Sequence, residues 1–236
     1  MKLKKVEINA TTLPDAWFLT IQACVDKGRI YTVTEGSYEG QKRKELDWLT
    51  VHIRYPHERP LLPDVPPGMK RLNPVPGGMD YITNDYLPYL MTDEKKEGEA
   101  YTYGQRLFGS EHPHLLGQVE EVIEKYKRGF GNNQCSMTVA RPTDVHLIDP
   151  PCLRHIDTRI FTDEQREGPP ELHFFPYFRS WDAYAGLPSN LAAIVFLQEY
   201  MAEAIGNGVK PGEIVATSKG VHLYDLYWKL AKERLG

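Results

Sequence analysis

Four polar side chains that could bind a nucleotide lie close together in the segment YFRSWDAYAGLPSN: Arg179, Ser180, Asp182 and Asn190. A guanidinium and a hydroxyl both donate hydrogen bonds, so the first two suit an oxyanion such as phosphate. The amide of Asn190 can donate to and accept from adjacent ring positions, which is how the edge of a base is read. The same residues are also compatible with a salt-bridged Arg179 and an Asn190 that only caps a helix.

Regular elements on both sides would position these residues. The aromatic alternation in HFFPYFR predicts a strand over about 172–178, with Arg179 at its end. The residues of GLPSN are typical of a turn in which Ser189 or Asn190 caps the helix that follows. That helix, LAAIVFLQEYMAEAIG, is apolar on nearly every side, as a buried helix is, and the Gly-Asn-Gly after it is expected to end it.

The segment RSWDAYAGLPSN resembles the thymidylate synthase pattern R-S-x-D-x-x-x-G-x-P-x-N. Three further stretches resemble the same family in the same order. DPPC at 149–152 is similar to its nucleophile loop, TYGQRL at 102–107 to its Y-G-x-x-x segment, and KPGEIVATSKGVHLYDLY to its K-P-G-D…G-x-x-H-x-Y segment. The resemblance covers about residues 100–228, and the short C-terminal end resembles the archaeal-type form.

The resemblance implies reductive C5 methylation of dUMP, with 5,10-methylene-tetrahydrofolate or methylene-tetrahydromethanopterin as co-substrate and no metal. It implies that Cys152 is the nucleophile and that Tyr103 belongs to its proton network. The chemistry needs a thiolate, because pyrimidine C5 is unreactive until a nucleophile adds to C6. Arg179 is expected to lower the pKa of that thiol. From its sequence context alone, a single intracellular Cys is more often a core residue.

The binding roles also follow from the resemblance. The substrate-binding residues would be Arg179 and Ser180 at the phosphate, Asn190 at the uracil edge, His222 and Tyr224 at the sugar 3′-hydroxyl, and Arg43 at the phosphate. The cofactor-binding residues would be Asp182 and Gly186. Arg43 lies in a basic stretch, 42–44, which is predicted to be a loop and is equally compatible with a solvated turn.

Several positions depart from the family pattern. Leu153 follows the nucleophile where the common synthases carry His. Asn133 and Gln134 stand where two Arg residues of the family reach across the dimer to the phosphate. Either Arg141 or the 42–44 cluster compensates, or phosphate affinity is weaker than in the common synthases. The family's water-organising Glu has three candidates here, which are Asp85, Glu97 and Glu99.

These departures keep two other functions open. One is a pyrimidine nucleotide 5-hydroxymethylase acting on dUMP or dCMP, in which water and not hydride quenches the exocyclic methylene. Asn190 favours uracil, since the cytosine enzymes of the family carry Asp there, but it does not decide between water and hydride. The other is a nucleotide-binding homologue without catalysis.

Composition limits the class of protein. The 236 residues are 41% hydrophobic and 25% charged, which suits one α/β (α+β) domain over 1–236, a central mixed sheet backed by helices. A net charge of −4 argues against a DNA-binding protein. Cys24, Cys135 and Cys152 show neither metal spacing nor a disulfide framework. With no membrane-length apolar run and no signal peptide, we expect a cytoplasmic protein, and the family resemblance implies a homodimer through the sheet face.

Periodicity predicts the remaining elements. The predicted strands lie within 1–10 and at 31–34, 46–55, 135–141 and 153–160. The predicted helices are one from Thr12 to Gly28, a short one at 81–92 broken by Pro88, and an amphipathic one within 113–131. An irregular segment is predicted over 56–78 and a surface hairpin at 161–171. The amphipathic helix would bury Leu115 and Leu116 with Val119, Val122, Ile123 and Tyr126. On the strand from 153, strict alternation would put His155 on the face of Leu153.

Overall fold

Two mixed β-sheets and a set of helices make up the part of the chain that the computed structural model describes, residues 2–36, 38–63, 78–110, 114–161 and 168–235. The strands are β1 (Lys5–Ala10), β2 (Arg29–Thr32), β3 (Lys42–Leu46), β4 (Trp48–Ile53), β5 (Ser136–Thr138), β6 (Leu153–Phe161), β7 (Glu171–Phe178), β8 (Trp181–Asp182), β9 (Lys210–Ser218) and β10 (Val221–Tyr224). These elements confirm the predicted α/β class with a mixed central sheet.

The helices are α1 (Leu13–Lys27), α2, α3 (Tyr103–Leu107), α4 (Gln118–Arg128), α5 (Gly186–Ile205) and α6 (Trp228–Leu235). Here α2 denotes three segments that follow one another without a break, Met79–Tyr81, the π-helical Ile82–Tyr86, and Leu87–Met91. Single 3₁₀ turns occur at Pro142–His146 and Asp225–Tyr227. No helix in the described ranges is long and apolar enough to cross a membrane.

The larger sheet has the order β1-β4-β9-β7-β6-β5, and the smaller sheet has the order β2-β3-β10-β8. Three chain segments pass from one sheet to the other after one or two residues: β3 into β4, β7 into β8, and β9 into β10. Arg179 and Ser180 form the β7–β8 step, and Lys219 and Gly220 form the β9–β10 step. The seam between the two sheets therefore brings these polar residues together.

Helix α5 is the central helix of the core, with thirteen buried residues that include Leu191, Ile194 and Leu197. The prediction that Ser189 or Asn190 caps it was wrong, because the helix begins at Gly186 and Ala185 is its N-cap. Pro188 fits inside the first turn, where its missing N–H needs no helical partner. The predicted end was correct, since Gly206 closes the helix with φ +72°.

The amphipathic helix was predicted in the right place with the wrong first turn. Val119, Val122, Ile123 and Tyr126 are buried on one side of α4, and Gly129 ends the helix. Leu115 and Leu116 precede the helix and are 63% and 54% exposed. Gly117 is its N-cap, so the helical spacing does not extend back to the two leucines.

Pro88 does not break α2. The Leu87 N–H bonds to the Ile82 carbonyl, five residues back, so the helix widens into a π turn directly before the proline. A proline lacks the N–H of an ordinary helical bond and its ring crowds the carbonyl four residues earlier, and a wider turn accommodates both defects. The helix consequently continues to Met91.

The stretch 42–44 is part of a strand and not a loop, because β3 pairs on one side with β2 and on the other with β10. Of the neighbouring strands, Trp48–Ile53 lies within the predicted 46–55, whereas Arg29–Thr32 begins two residues before the predicted 31–34. On β6 a register shift between Leu153 and His155 breaks the alternation, so Leu153 is buried while His155 lies against the Tyr177 ring. Residues 64–77 and 162–167, which hold most of the predicted irregular segment and hairpin, lie outside the described residues.

Candidate active site

Arg179 lies directly beside the loop that carries Cys152. Its backbone N–H donates to the Cys152 carbonyl at 2.8 Å, and its Nε donates to the Pro151 carbonyl at 3.2 Å. Its Nη2 donates to the Pro150 carbonyl and lies 3.4 Å from an Asp149 carboxylate oxygen. The guanidinium therefore holds the end of the proline-rich loop against the end of β7, and the predicted neighbourhood of thiol and guanidinium is what the structure has.

The Cys152 thiol is partly exposed, whereas Cys24 and Cys135 are buried. Burial raises the pKa of the Cys152 thiol above its ordinary value, and the Arg179 guanidinium offsets part of that rise. Arg179 thus acts in the predicted direction, but the expected net lowering of the thiol pKa was wrong because burial is the larger effect. A neutral thiol is favoured in the free protein.

Tyr103 is at the first turn of α3 and is 7% exposed. The side chain of Thr102 caps this helix by accepting from the Gln105 N–H at 2.9 Å. The Tyr103 hydroxyl accepts from the Leu153 N–H at 3.3 Å, one residue beyond the thiol. Burial, and then the nearby Cys152, hold the Tyr103 pKa far above the usual phenol range, so its proton stays in place at neutral pH.

A glycine fixes the position of Tyr103. The backbone of Gly104 packs so closely on Thr92 that a Cβ at this position would collide with the Thr92 carbonyl oxygen. Helix α3 and the end of α2 are therefore in contact through backbone atoms alone at this point.

Asn190 is held by two aromatic side chains. Its Oδ1 accepts from the Trp181 indole N–H at 2.8 Å, and its Nδ2 donates to the Tyr86 hydroxyl. Trp181 is 2% exposed and stacks on Phe178 with ring centroids 4.2 Å apart. The amide is consequently fixed on both sides, and it does not cap α5.

Asp182 is the last residue of β8 and precedes the first turn of α5. Its Oδ1 accepts from the backbone N–H of Tyr184 at 2.9 Å and from that of Ala185 at 3.4 Å. Burial raises the pKa of this carboxyl to about 6, and those backbone donors limit the rise. A Cβ at Gly186 would lie 3.3 Å from the Asp182 Cβ, so a larger residue there would crowd the carboxylate.

His222 and Tyr224 share one face of β10, as predicted, with ring centroids 4.7 Å apart. Nδ1 of His222 lies 2.9 Å from the Gly220 carbonyl, which only accepts, so this nitrogen carries the proton; the Ser180 hydroxyl is 3.5 Å away. Burial lowers the His222 pKa to about 4. The Tyr38 ring stacks on Tyr224 at 4.6 Å.

Arg43 projects from β3 beside this group. It forms an ion pair with Glu45 at 2.9 Å and donates to the Tyr31 hydroxyl, with its guanidinium 4.7 Å from the centre of the Tyr31 ring. It is near enough to act on the charge states of both Cys152 and His222.

Two cavities meet at Ser180. The first is a cleft of about 550 Å³ whose lining includes Cys152, Tyr103, Ser180, Asp182, Gly186 and Asn190. The second, of about 510 Å³, is lined by Arg43, Arg179, Ser180 and Lys219 among others. The predicted site residues are thus divided, with the thiol and amide on one side of Ser180 and the guanidinium groups on the other. His222 and Tyr224 line neither cavity.

The three candidates for the water-organising acid do not all lie at the larger cleft. Asp85 and Glu99 border the larger cleft, whereas Glu97 is not part of its lining. Of the residues at the family's arginine positions, Asn133 accepts from Arg159 and the Gln134 N–H donates to Asn132, both away from the two cavities.

Arg141 borders a third cavity, together with Arg106 and Gln118, and so does not join Arg179. No group of three or more His, Cys, Asp or Glu side chains in the described ranges is arranged to hold a metal ion.

Sequence reasoning missed Tyr86, Trp181 and Tyr38. Trp181 was within the quoted motif, at its unspecified position, and its donor-only indole could have been weighed as a partner for the nearby amide. Tyr86 had no such signal, since it reaches Asn190 across 104 residues of sequence.

Comparison with known proteins identifies the family of the chain. The family model described as "Thymidylate synthase" matches residues 70–236. Proteins named "Putative thymidylate synthase" are 30% identical over 226 residues in Methanosarcina mazei, covering 95% of this chain and 92% of the relative, and 29% identical over 222 residues in Methanococcoides burtonii, covering 94% and 90%. The "Thymidylate synthase" of Saccharomyces cerevisiae is 25% identical over 169 residues, covering 65% and 54%. The chain belongs to the thymidylate synthase family.

Proposed function

We propose that this protein methylates C5 of dUMP reductively to give dTMP, using a methylene-tetrahydropterin as co-substrate and Cys152 as the nucleophile. The observation that carries the proposal is that the Cys152 thiol and the Asn190 amide line one cleft while Arg179 holds the thiol's loop and borders the adjoining cavity. Methylation of a pyrimidine nucleotide at C5 requires a nucleophile and a base-reading amide around the ring, and cations around the phosphate.

The reaction begins when the Cys152 thiol loses its proton and Sγ forms a bond to C6 of the uracil ring. The C5–C6 π electrons move toward O4, and the resulting enolate makes C5 nucleophilic. Arg179 favours the thiolate, and the Leu153 N–H held by Tyr103 fixes the backbone next to it. C5 then exchanges its proton for the one-carbon unit, and a hydride from the co-substrate would reduce that carbon to a methyl group as the Cys152 thiolate leaves C6 and the C5–C6 double bond re-forms.

The part of the cleft formed by α2 suits a pterin. Tyr81, Tyr86 and Tyr89 of α2 line it with aromatic surface, and Asp182 supplies a carboxyl that is half-protonated near pH 6. Bound there, methylene-tetrahydrofolate or methylene-tetrahydromethanopterin would supply the carbon and the hydride. Asp182 and Gly186 would contact the pterin ring, and the volume of about 550 Å³ leaves room for it beside the pyrimidine.

The second cavity suits the phosphate. Arg43, Arg179 and Lys219 converge on it, and Ser180 adds a hydroxyl at the border of the two spaces. For Arg43 to reach a phosphate, its ion pair with Glu45 must open. His222 and Tyr224, behind Ser180, would complete the sugar site.

The assembly and compartment are part of the same proposal. We propose that residues 1–236 form one domain, that the protein acts in the cytoplasm, and that two copies pair through the face of the larger sheet that carries Trp48, His52 and Tyr177. In the single chain Trp48 is exposed, and His52 and Tyr177 are only partly buried. Sedimentation at several protein concentrations tests the pairing, and a protein that stays monomeric throughout would exclude it.

The test of the reaction is tritium release from [5-³H]dUMP with each pterin in turn. The proposal expects release together with dTMP. Release with a 5-hydroxymethyl product would instead identify a hydroxymethylase, and dUMP binding without release would identify a non-catalytic homologue. Cys152→Ala should abolish release, while Cys135→Ala, which removes a buried thiol outside the cleft, should retain it per folded molecule. Turnover by Cys152→Ala would refute the nucleophile assignment.

A further inference from the structure

We propose that Trp181 and Tyr86 fix the orientation of the Asn190 amide and thereby decide which pyrimidine ring the cleft accepts. This inference rests on the proposed function. Trp181 donates its indole N–H to Asn190 Oδ1 at 2.8 Å, and Asn190 Nδ2 donates to the Tyr86 hydroxyl. All three residues line the cleft that holds the Cys152 thiol.

Trp181 sets the direction of the amide because an indole N–H can only donate. If the amide turned over, its NH₂ group would face another donor and the indole N–H would lose its acceptor. Leaving a buried donor unpaired is costly. Trp181 cannot move away easily, since it is 2% exposed and lies flat on Phe178 at 4.2 Å.

Tyr86 completes the restraint from the opposite side. Its hydroxyl accepts from Nδ2, which is the pairing expected once Oδ1 faces Trp181. Tyr86 is the last residue of the π-helical segment Ile82–Tyr86, and such widened turns inside helices frequently occur at functional sites. Among the described residues, none of Asp85, Glu97 and Glu99 hydrogen-bonds to Asn190. The partner of Nδ2 is the Tyr86 phenol.

The consequence for the ligand follows from counting hydrogen bonds. A primary amide has two N–H donors and two acceptor lone pairs, and Tyr86 and Trp181 each use one. One donor and one acceptor are left for the ring. Uracil offers an acceptor at O4 and a donor at N3, whereas cytosine offers a donor at N4 and an acceptor at N3. The two rings present the same pair in opposite order, so only a restrained amide can tell them apart.

The experiment measures dissociation constants for dUMP and dCMP by titration calorimetry in the wild type and three variants. Tyr86→Phe removes the hydroxyl and keeps the ring, and Trp181→Phe removes the indole donor and keeps an aromatic ring over Phe178. Each should reduce the preference for dUMP over dCMP about 3- to 10-fold, the range that one hydrogen bond supports. Tyr200→Phe is the matched control, since it removes a hydroxyl from the helix that carries Asn190 but outside the cleft, and it should keep the wild-type ratio.

A loss of folding lowers both affinities together and leaves their ratio unchanged, so the ratio reports on orientation alone. If Trp181→Phe fails to fold, Tyr86→Phe decides the question. A dUMP-selective wild type whose ratio is unchanged in Tyr86→Phe overturns this inference and leaves the proposed function standing. A wild type that binds both nucleotides equally also overturns it. A wild type that binds neither overturns the proposed function and this inference together.

Discussion

Asp182 and His222 are paired residues of the parallel strands β8 and β10, and burial shifts the pKa values of their side chains in opposite directions. The carboxyl rises to about 6 and the imidazole falls to about 4. In both cases burial penalises the charged form, and the sign differs because one group is charged when it has lost a proton and the other when it has gained one. The two residues therefore affect stability oppositely as pH changes.

Asp182→Asn should make the protein more stable than the wild type at higher pH, because the wild type must bury a charged carboxylate there. Between about pH 4 and pH 6 the folded carboxyl keeps a proton that the unfolded carboxyl has released, so the free energy of unfolding falls as pH rises through this range. The variant should gain up to about 3 kcal/mol on the wild type at pH 8, and little at pH 4. Urea unfolding at pH 4, 6 and 8 measures the difference, and a difference independent of pH would contradict it.

His222 should behave in the opposite way. Its folded pKa of about 4 lies below the ordinary histidine value of 6.5, so between these values the unfolded chain binds a proton that the folded protein does not. The free energy of unfolding therefore falls as pH drops through this range. In the folded protein at pH 5, the ring should be neutral with its proton on Nδ1. Nitrogen NMR tests this, with His222→Gln to identify the signal. Titration with a midpoint near 6.5 would show the prediction to be wrong.

Arg179→Gln should slow alkylation of Cys152. Removing the positive charge beside the thiol raises its pKa further, so less thiolate is present at a given pH. The pH profile of Cys152 modification by iodoacetamide, followed by peptide mass spectrometry, should move to higher pH in the variant. Arg59→Gln is the control and should keep the wild-type profile, since Arg59 contacts Glu199, the His57 carbonyl and the Phe196 ring and not the loop of Cys152. A profile unchanged by Arg179→Gln would mean that solvent screens the charge.

Asp144→Asn should destabilise the fold by about 3–5 kcal/mol, because it leaves a buried guanidinium without its counter-charge. Arg106 is 7% exposed and forms two hydrogen bonds of 2.7 Å with the Asp144 carboxylate. Urea unfolding at neutral pH measures the loss. Glu124→Gln breaks the exposed pair with Lys127 and should cost less than about 1 kcal/mol. Equal losses in the two variants would contradict the argument from burial.

Local patterns predicted those elements whose own side chains determine them. The alternation before Arg179 gave β7 within one residue, and Thr12 and Gly28 bound α1 as expected. Where pairing with other strands decides the structure, the prediction failed. Charge suggested a loop at 42–44, but β3 is held between β2 and β10, and the chain segments of these partners are far apart in sequence.

The site shows the same division. The motif could place Arg179 and Asn190 on adjoining elements, but not the wall opposite them. Tyr86, which bonds to Asn190, is the last residue of a widened turn in front of Pro88, and no local rule about proline predicts that turn. The net pKa of Cys152 was also beyond sequence reasoning, since the depth of burial outweighs the guanidinium that could be read from the motif.

The close contact between Gly104 and Thr92 couples the entrance of the larger cleft to the position of the Tyr103 phenol. Any side chain at position 104 would push aside the chain that leads from Thr92 to Glu94, Lys95, Lys96 and Glu99, residues along the rim of the larger cleft. Such a change would alter the entrance and displace the Tyr103 phenol at once. Substitutions on the rim itself can therefore change the shape of the entrance, whereas position 104 has to remain glycine.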